Sequence, residues 1–308
     1  MSSNRTISLI VPVYNDAPYL RKCLESICGQ TIIDEMEVII VDDGSTDGSA
    51  DIASAIFEEK KLSDHLSLIR LPANLGVANA RIVGIGATSG QYIMFCDGDD
   101  WMDTTMCEKL LRKAESDNCD VVVCDYNKVL NGVVEPIGPC YKEPFLSQLI
   151  LCSVTGSLCN KLIRSDLLKN SGFVYPTHDF SEDYVYNIQI AMAARKIGYV
   201  PEPLYYYLKR VDSLVRSQKP ECCAKREADD EANYQLVLSI LEKANLLEQY
   251  REELIFHKLR RKNHYRNNPK KWRGTYPELN REIFKSSFVS FRSRVAYVLT
   301  FFGLFKSR

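Results

Sequence analysis

The fold class that the sequence predicts is α/β: a mostly parallel sheet flanked by helices, with a helical C-terminal extension. Two observations predict it. Short β-branched runs alternate with single helical patterns over the first 126 residues, and such alternation implies crossover connections and a sheet buried on both faces. From about residue 221 onward the pattern is helical to the end.

The elements follow in order. "ISLIVPV" (7–13) reads as a buried strand, and "PYLRKCLESICGQ" after it places Leu20, Cys23, Leu24, Ile27 and Cys28 at helical spacing. "EVIIVDD" (37–43) is the next strand, and Ile52, Ile56 and Phe57 then share one side of a helix. "HLSLIRL" (65–71), "QYIMFCD" (91–97) and "CDVVVCDY" (119–126) are three further strands, with helices starting near Val77 and Thr104. Residues 127–220 are less regular; a loop feeds a helix near Ser181, and "YVPEPLYYYLKR" (199–210) reads as an edge strand because of Pro201 and Pro203. These boundaries divide the chain into a catalytic domain, 1–220, and a helical, basic region, 221–308.

Composition narrows the class. The 308 residues are 45% hydrophobic and 26% charged, ordinary for a globular protein. Eleven cysteines form no CxxC pair and no His/Cys metal spacing, and the first residues enter a strand pattern without a basic or apolar leader. The expectation is a cytoplasmic protein with free, mostly buried thiols. The net charge of −1 hides an asymmetry: residues 251–308 hold 15 Lys/Arg against 4 Asp/Glu, leaving 24 against 36 in the first 250.

Two acidic clusters end strands that point the same way. Asp42 and Asp43 close one, and Asp97, Asp99 and Asp100 close another. Ligands of parallel sheets bind at the strands' carboxyl ends, and hard divalent cations take carboxylate oxygens together with substrate phosphates. Each cluster is also ordinary turn chemistry: "DGDD" would cap the helix near Thr104, and Asp47 or Ser49 in "VDDGSTDGS" would cap the next one. Tyr14, in "VPVYN", offers an aromatic face to a base or simply packs at a strand end. "SEDYVYNIQI" (181–190) reads as a capped helix start with Ser181 as N-cap, or as the position of a general base held ionised by the helix terminus.

"VPVYN", "IIVDDGSTDGS", "NLGVANAR" (74–81), "GQYIMFCDGDDWM", "NKLIR" (160–164) and "SEDYVYN", in this order and spacing over roughly residues 5–216, resemble the family 2 glycosyltransferases. The likeness is to the bacterial enzymes that build surface polysaccharides. The resemblance implies a GT-A fold, a metal-dependent inverting transfer from a nucleotide-sugar donor, usually a UDP-sugar, and a glycan or lipid-linked acceptor. It implies that Pro12 and Tyr14 line the nucleotide site, with Tyr14 stacked on the base and Asp43 hydrogen-bonded to it. Arg81 would help hold the nucleotide, Asp97 would contact the ribose, and Asp99 would ligate Mn2+ or Mg2+. Asp183 would be the base that deprotonates the acceptor, and Arg210, Ser213 and Arg216 would lie in the segment that closes over the diphosphate. The chain departs from the family's usual pattern at Ile82, which stands in place of Asn, and at Ser181, in place of Gly.

"SFRSRVAYVLTFFGLFKSR" (290–308) joins an apolar run to Arg292, Arg294, Lys306 and Arg308. Its 11 uncharged residues, Val295 to Phe305, fall short of the roughly 20 that span a bilayer. It is expected to lie on the cytoplasmic face of a membrane, or else to pack on its own domain or in a homodimer. "RRKNHYRNNPKKWR" (260–273) is basic but belongs to no nucleic-acid motif, so no nucleic-acid partner is expected. Two other readings remain. A sugar nucleotidyltransferase would carry a Gly-rich, Lys-bearing loop after its first strand, which "VPVYNDAPYL" lacks; a non-catalytic subunit of an assembly complex would have no need of both Asp99 and Asp183.

Overall fold

The computed structural model of the protein describes residues 5–210, 219–265, 268–282, 284, 287, 289 and 291–302. Its strands are β1 (Ile7–Val13), β2 (Met36–Asp42), β3 (Leu66–Arg70), β4 (Tyr92–Phe95), β5 (Trp101–Met102), β6 (Val121–Leu130), β7 (Val133–Ile137), β8 (Lys161–Arg164) and β9 (Ile197–Leu208). Its helices are α1 (Ala17–Cys28), α2 (Ser49–Glu59), α3 (Val77–Ala87), α4 (Met106–Asp117), α5 (Phe145–Ile150), α6 (Ser165–Lys169), α7 (Glu182–Ala193), α8 (Pro220–Lys243), α9 (Arg251–Asn263), α10 (Pro269–Gly274), α11 (Leu279–Glu282) and α12 (Phe291–Phe301). The chain divides into two compact units, residues 1–142 with 155–237 and residues 143–154 with 238–308.

The first unit is built on one nine-stranded sheet of order β3-β2-β1-β4-β8-β6-β9-β5, with β7 beside β6. The pairs β1–β2, β1–β4 and β2–β3 are parallel. Strand β8 is antiparallel to both β4 and β6, which turns β6 and its parallel partner β9 the same way as the first four. The sheet is therefore mixed but mostly parallel, and six carboxyl ends share one edge. Every residue of β1 and β4 is buried, as strands covered on both faces require. On one face Ile39 and Val41 pack against Ala80 of α3, and a Cβ added at Gly84 would press into Ile10 at 2.5 Å, so the glycine lets α3 lie close.

Pro12 stands inside a central strand without breaking it. The Ile10 carbonyl accepts from the Cys96 N–H, 3.0 Å, and β4 has already ended at Phe95. By the two-residue period Pro12 faces that same vacated side, so its missing N–H costs no ladder bond. The expected edge strand is β9, and it is an interior one over its second half, where β5 pairs with Tyr205 and Tyr206. Its prolines are accommodated by a bulge: Cys124 is registered with Val200 but Asp125 with Pro203.

The second unit has its own core of Ile255, Leu259, Trp272, Leu279, Val289 and Tyr297. Lys262 is fully buried there; its ammonium donates to the Thr275 carbonyl and lies 4.3 Å from the Trp272 ring centroid. Helix α5 is joined to α9 by Ser147, which donates to Glu253 at 2.8 Å, and by the ring of His257, which donates to the Ile150 carbonyl at 2.8 Å. Among the described residues no helix is long and apolar enough to cross a membrane.

Candidate active site

Loops at the carboxyl ends of β1, β2 and β3 are stitched together by their own side chains. Asn15, at a left-handed φ of 52°, accepts from the Thr46 N–H at 2.9 Å and gives its own N–H to Ser45 at 3.0 Å. The first free N–H of α1, on Ala17, is capped from the neighbouring loop by Asp47, 2.9 Å. That leaves the carboxylate of Asp16, the residue before the helix, for other work. Asp47 also accepts from the Ser49 N–H and hydroxyl. Burial raises the Asp43 carboxyl above its usual value, while the Leu75 and Gly76 N–H groups, 2.7 and 2.8 Å away, hold it down. Tyr14 follows Val13, whose carbonyl accepts the Asp43 N–H at 2.8 Å, so both expected base contacts lie at adjoining strand ends; Tyr14 is 44% exposed.

The "DGDD" turn is not a helix cap. Thr105, the N-cap of α4, makes no side-chain cap bond, and in the turn before it Asp103 accepts from the Thr105 N–H at 2.9 Å. Asp100 is buried and structural: it accepts from the Tyr205 hydroxyl at 2.6 Å and the Leu208 N–H at 2.7 Å, tying the turn to β9. Asp97 and Asp99 face two arginines instead. Arg81, buried on α3, reaches Asp97 at 2.9 Å, Asp183 at 2.7 Å and Glu182. Arg210, at the end of β9, reaches Asp99 at 3.2 Å and Asp16 at 3.0 Å, and its guanidinium lies 4.9 Å from the Tyr19 ring centroid. The expected residues Arg81, Asp97 and Asp183 thus form one cluster and Asp99 and Arg210 a second, joined through the three-residue span from Asp97 to Asp99. Ser213 and Arg216 lie outside the described residues.

Helix α7 opens on Ser181 at φ 62°, and the serine does not cap it; its hydroxyl donates to Asp230 on α8. Asp183 is fixed at both oxygens, by Arg81 and by the Leu158 N–H at 3.3 Å. The sequence leads one to expect the helix terminus to keep it ionised. Burial instead pushes its carboxyl up, and Arg81 only partly pulls it back. Glu182 beside it is pushed up to about 8 by burial and by the Asp183 charge. Lys161, fully buried, is lowered to about 8 by burial; it donates to Asn160 at 3.0 Å and to the Ser157 carbonyl. Asp99 is raised to about 7 by burial and by Asp97.

Three participants were not assigned from sequence. Asp16 stands beside "VPVYN", and Glu182 and Lys161 lie inside "SEDYVYN" and "NKLIR", but the motifs gave them no role, and a lysine in a strand pattern reads as solvent-facing.

No group of three or more His, Cys, Asp or Glu among the described residues could hold a metal by itself. A Mg2+-type ion needs only one or two carboxylates when substrate phosphates supply the rest. Asp97 and Asp99 are hard oxygen donors on a tight turn, and a Cβ on the intervening Gly98 would meet Asp16 at 2.9 Å. These residues fit such an ion.

The Glycosyl transferase family 2 signature matches residues 8–138. The putative glycosyltransferase EpsH of Bacillus subtilis is 35% identical over 260 residues, 80% of this chain and 72% of that one. The poly(ribitol-phosphate) beta-glucosyltransferase of Bacillus spizizenii is 32% identical over 67% of this chain and 32% of its own length. The crystal structure of S. aureus TarS 1-349 in complex with UDP superposes with a TM-score of 0.67, covering 96% of this chain and 89% of that one at 20% identity, a likeness of GT-A fold. With a match of 35% identity over most of both chains on a sheet edge of this geometry, the chain belongs to glycosyl transferase family 2 and is a glycosyltransferase.

Proposed function

We propose that the protein moves a sugar, with inversion, from a nucleoside diphosphate sugar of the UDP class to a hydroxyl of a glycan or lipid-linked acceptor in surface-polysaccharide assembly. The observation that carries this is the joining of Asp183 to Asp97 by the single buried guanidinium of Arg81 at the sheet's carboxyl edge. It puts a proton acceptor and the nucleotide-side aspartates in one fixed frame.

Asp183 takes the proton of the acceptor hydroxyl as its oxygen bonds to the anomeric carbon. The bond from that carbon to the diphosphate oxygen breaks on the opposite face, and the nucleoside diphosphate leaves with the electron pair. Arg81 and the Leu158 N–H aim Asp183, which makes the reaction effectively intramolecular. Tyr14 stacks on the base and Asp43, with lone pairs left beside its two backbone N–H partners, accepts from it. Arg81 serves the nucleotide through Asp97, which it orients toward the ribose. Asp99, with Asp97 beside it, would hold Mn2+ or Mg2+, which when bound supplies charge neutralisation for the departing diphosphate. Supporting the donor class is the UDP held by the S. aureus structure of the same fold, and supporting a polymer acceptor is the poly(ribitol-phosphate) substrate in its relative's name.

In the second unit, α12 turns Tyr297 and Thr300 inward and leaves Val295, Val298, Leu299 and Phe301 exposed, as is Phe302 just after it. The region from Arg251 onward is strongly basic. We assign this face to an anionic membrane surface on the cytoplasmic side, where a lipid-linked acceptor resides.

The test is a panel of nucleotide sugars with purified protein and Mn2+, read as release of nucleoside diphosphate that depends on added acceptor. Release with no member of a broad UDP-, GDP- and dTDP-sugar panel overturns the reading.

A further inference from the structure

Arg210 sits where a cation on Asp99 would have to be accommodated. Its Nε lies 3.2 Å from Asp99 Oδ2, and its Nη1 lies 3.0 Å from Asp16 Oδ1. Its plane lies over Tyr19 and its backbone N–H donates to the Leu208 carbonyl at 3.1 Å, so the side chain is anchored at its root and stacked at its tip. The pair is four-fifths screened from solvent at the arginine and three-quarters at the aspartate, with side-chain exposures of 20% and 24%. Asp16, which completes the arrangement, is released for it because Asp47 caps α1 in its place.

From this geometry we infer that Arg210 is a built-in counter-ion that competes with the divalent cation for Asp99 until the donor diphosphate arrives, so that cation and donor bind as a coupled pair. The inference rests on the assignment of the ion to Asp99. Without donor, a divalent ion approaching Asp99 meets a guanidinium already ion-paired with that carboxylate and is repelled by its charge. With donor, the diphosphate offers Arg210 a new anionic partner. The guanidinium can then leave Asp99 and Asp16 for phosphate oxygens, a geometry that arginine's planar fork suits, and its repulsion of the ion becomes shared attraction for the same phosphates. By linkage, the donor must then tighten the cation as much as the cation tightens the donor.

The experiment measures Mn2+ affinity of the full-length protein by calorimetry or Mn2+ spin resonance, with and without UDP, so it reads binding rather than turnover. Arg210→Gln is expected to bind Mn2+ alone about fivefold or more tightly than wild type, in the range of ordinary coupling energies, and to bind UDP with Mn2+ more weakly. Arg210→Lys keeps the charge and is expected to keep Mn2+ affinity near wild type. Asp99→Asn is expected to abolish specific Mn2+ binding. Circular dichroism of each variant shows that the fold is kept. If Arg210→Gln binds Mn2+ alone no better than wild type while Asp99→Asn loses it, the competition is overturned and the Asp99 assignment stands. If Asp99→Asn binds Mn2+ like wild type, the assignment of the ion to Asp99 is overturned, and the competition with it.

Discussion

At the scale of single residues the site is a problem of too many carboxylates for its cations. Arg81 alone faces Asp97, Glu182 and Asp183, and the surplus negative charge drives up the proton affinity of the buried members. Asp183→Asn is expected to lower kcat by about 10²–10⁴, the usual worth of a general base, while leaving UDP affinity near wild type. Collapse of UDP binding with kcat preserved would place Asp183 in the nucleotide site instead. Because burial raises the Asp183 carboxyl, the acid limb of the pH–rate profile should lie above the ordinary aspartate value of about 4, with rate lost as pH falls and the base takes up its proton. Glu182 gives the complementary prediction for stability. Its carboxyl rises from 4.5 to about 8 on folding, so between these values the folded state holds a proton that the unfolded chain has lost. Stability therefore falls as pH rises through that window. Glu182→Gln should flatten the slope in denaturation series between pH 5 and 8, and an unchanged slope would assign the dependence elsewhere.

At the scale of elements, the turn into α3 decides whether the two loops can meet. Gly76 stands at φ +93°, gives its N–H to Asp43, and a Cβ there would overlap the Asp179 carboxylate. Asp179 is itself paired with Lys225 at 2.8 Å. Gly76→Ala should cost about 1–3 kcal/mol, because φ 93° with ψ 158° is a backbone region essentially open to glycine alone, and should raise the KM for donor by loosening Asp43. A variant as stable as wild type with unchanged KM would show that the turn relaxes without consequence. Arg81→Met is the stronger test of the α3–α7 join. Removing one partner of a buried ion cluster costs about 3–5 kcal/mol, measured by denaturant unfolding, because three carboxylates are left facing one another.

At the scale of the whole molecule, the question is what the basic second unit does. The proposed membrane face should be tested by substitution and not by removing residues 290–308, because Tyr297 belongs to the unit's core and Thr300 is fully buried. Changing Val295, Val298, Leu299 and Phe302 together to serine should leave the fold intact. It should also abolish flotation with anionic liposomes, which for wild type should weaken with salt over a screening length of about 8–10 Å. Flotation that survives the four substitutions would assign the face to another use.

Much of this protein is legible from its amino acids because the signals are local. Parallel strands buried on both faces declare themselves as β-branched runs such as "ISLIVPV" and "EVIIVDD", and turn aspartates after them mark the functional edge before any contact is known. The order of motifs carried the family. What tertiary structure alone decided is how charges separated by 16 to 194 positions pair with one another. Spacing does not reveal that Arg81 is shared by three carboxylates, that Asp47 caps α1 and so frees Asp16, or that Ser181 bonds to Asp230 instead of capping α7. Nor does it reveal that Lys161 is buried, since its partners are the Ser157 carbonyl and an asparagine held in place by the surrounding fold. Strand patterns follow from the period of the backbone and survive in a one-dimensional string. Ion pairing and proton affinity depend on distance and on exclusion of water, and those exist only once the chain has closed around the site.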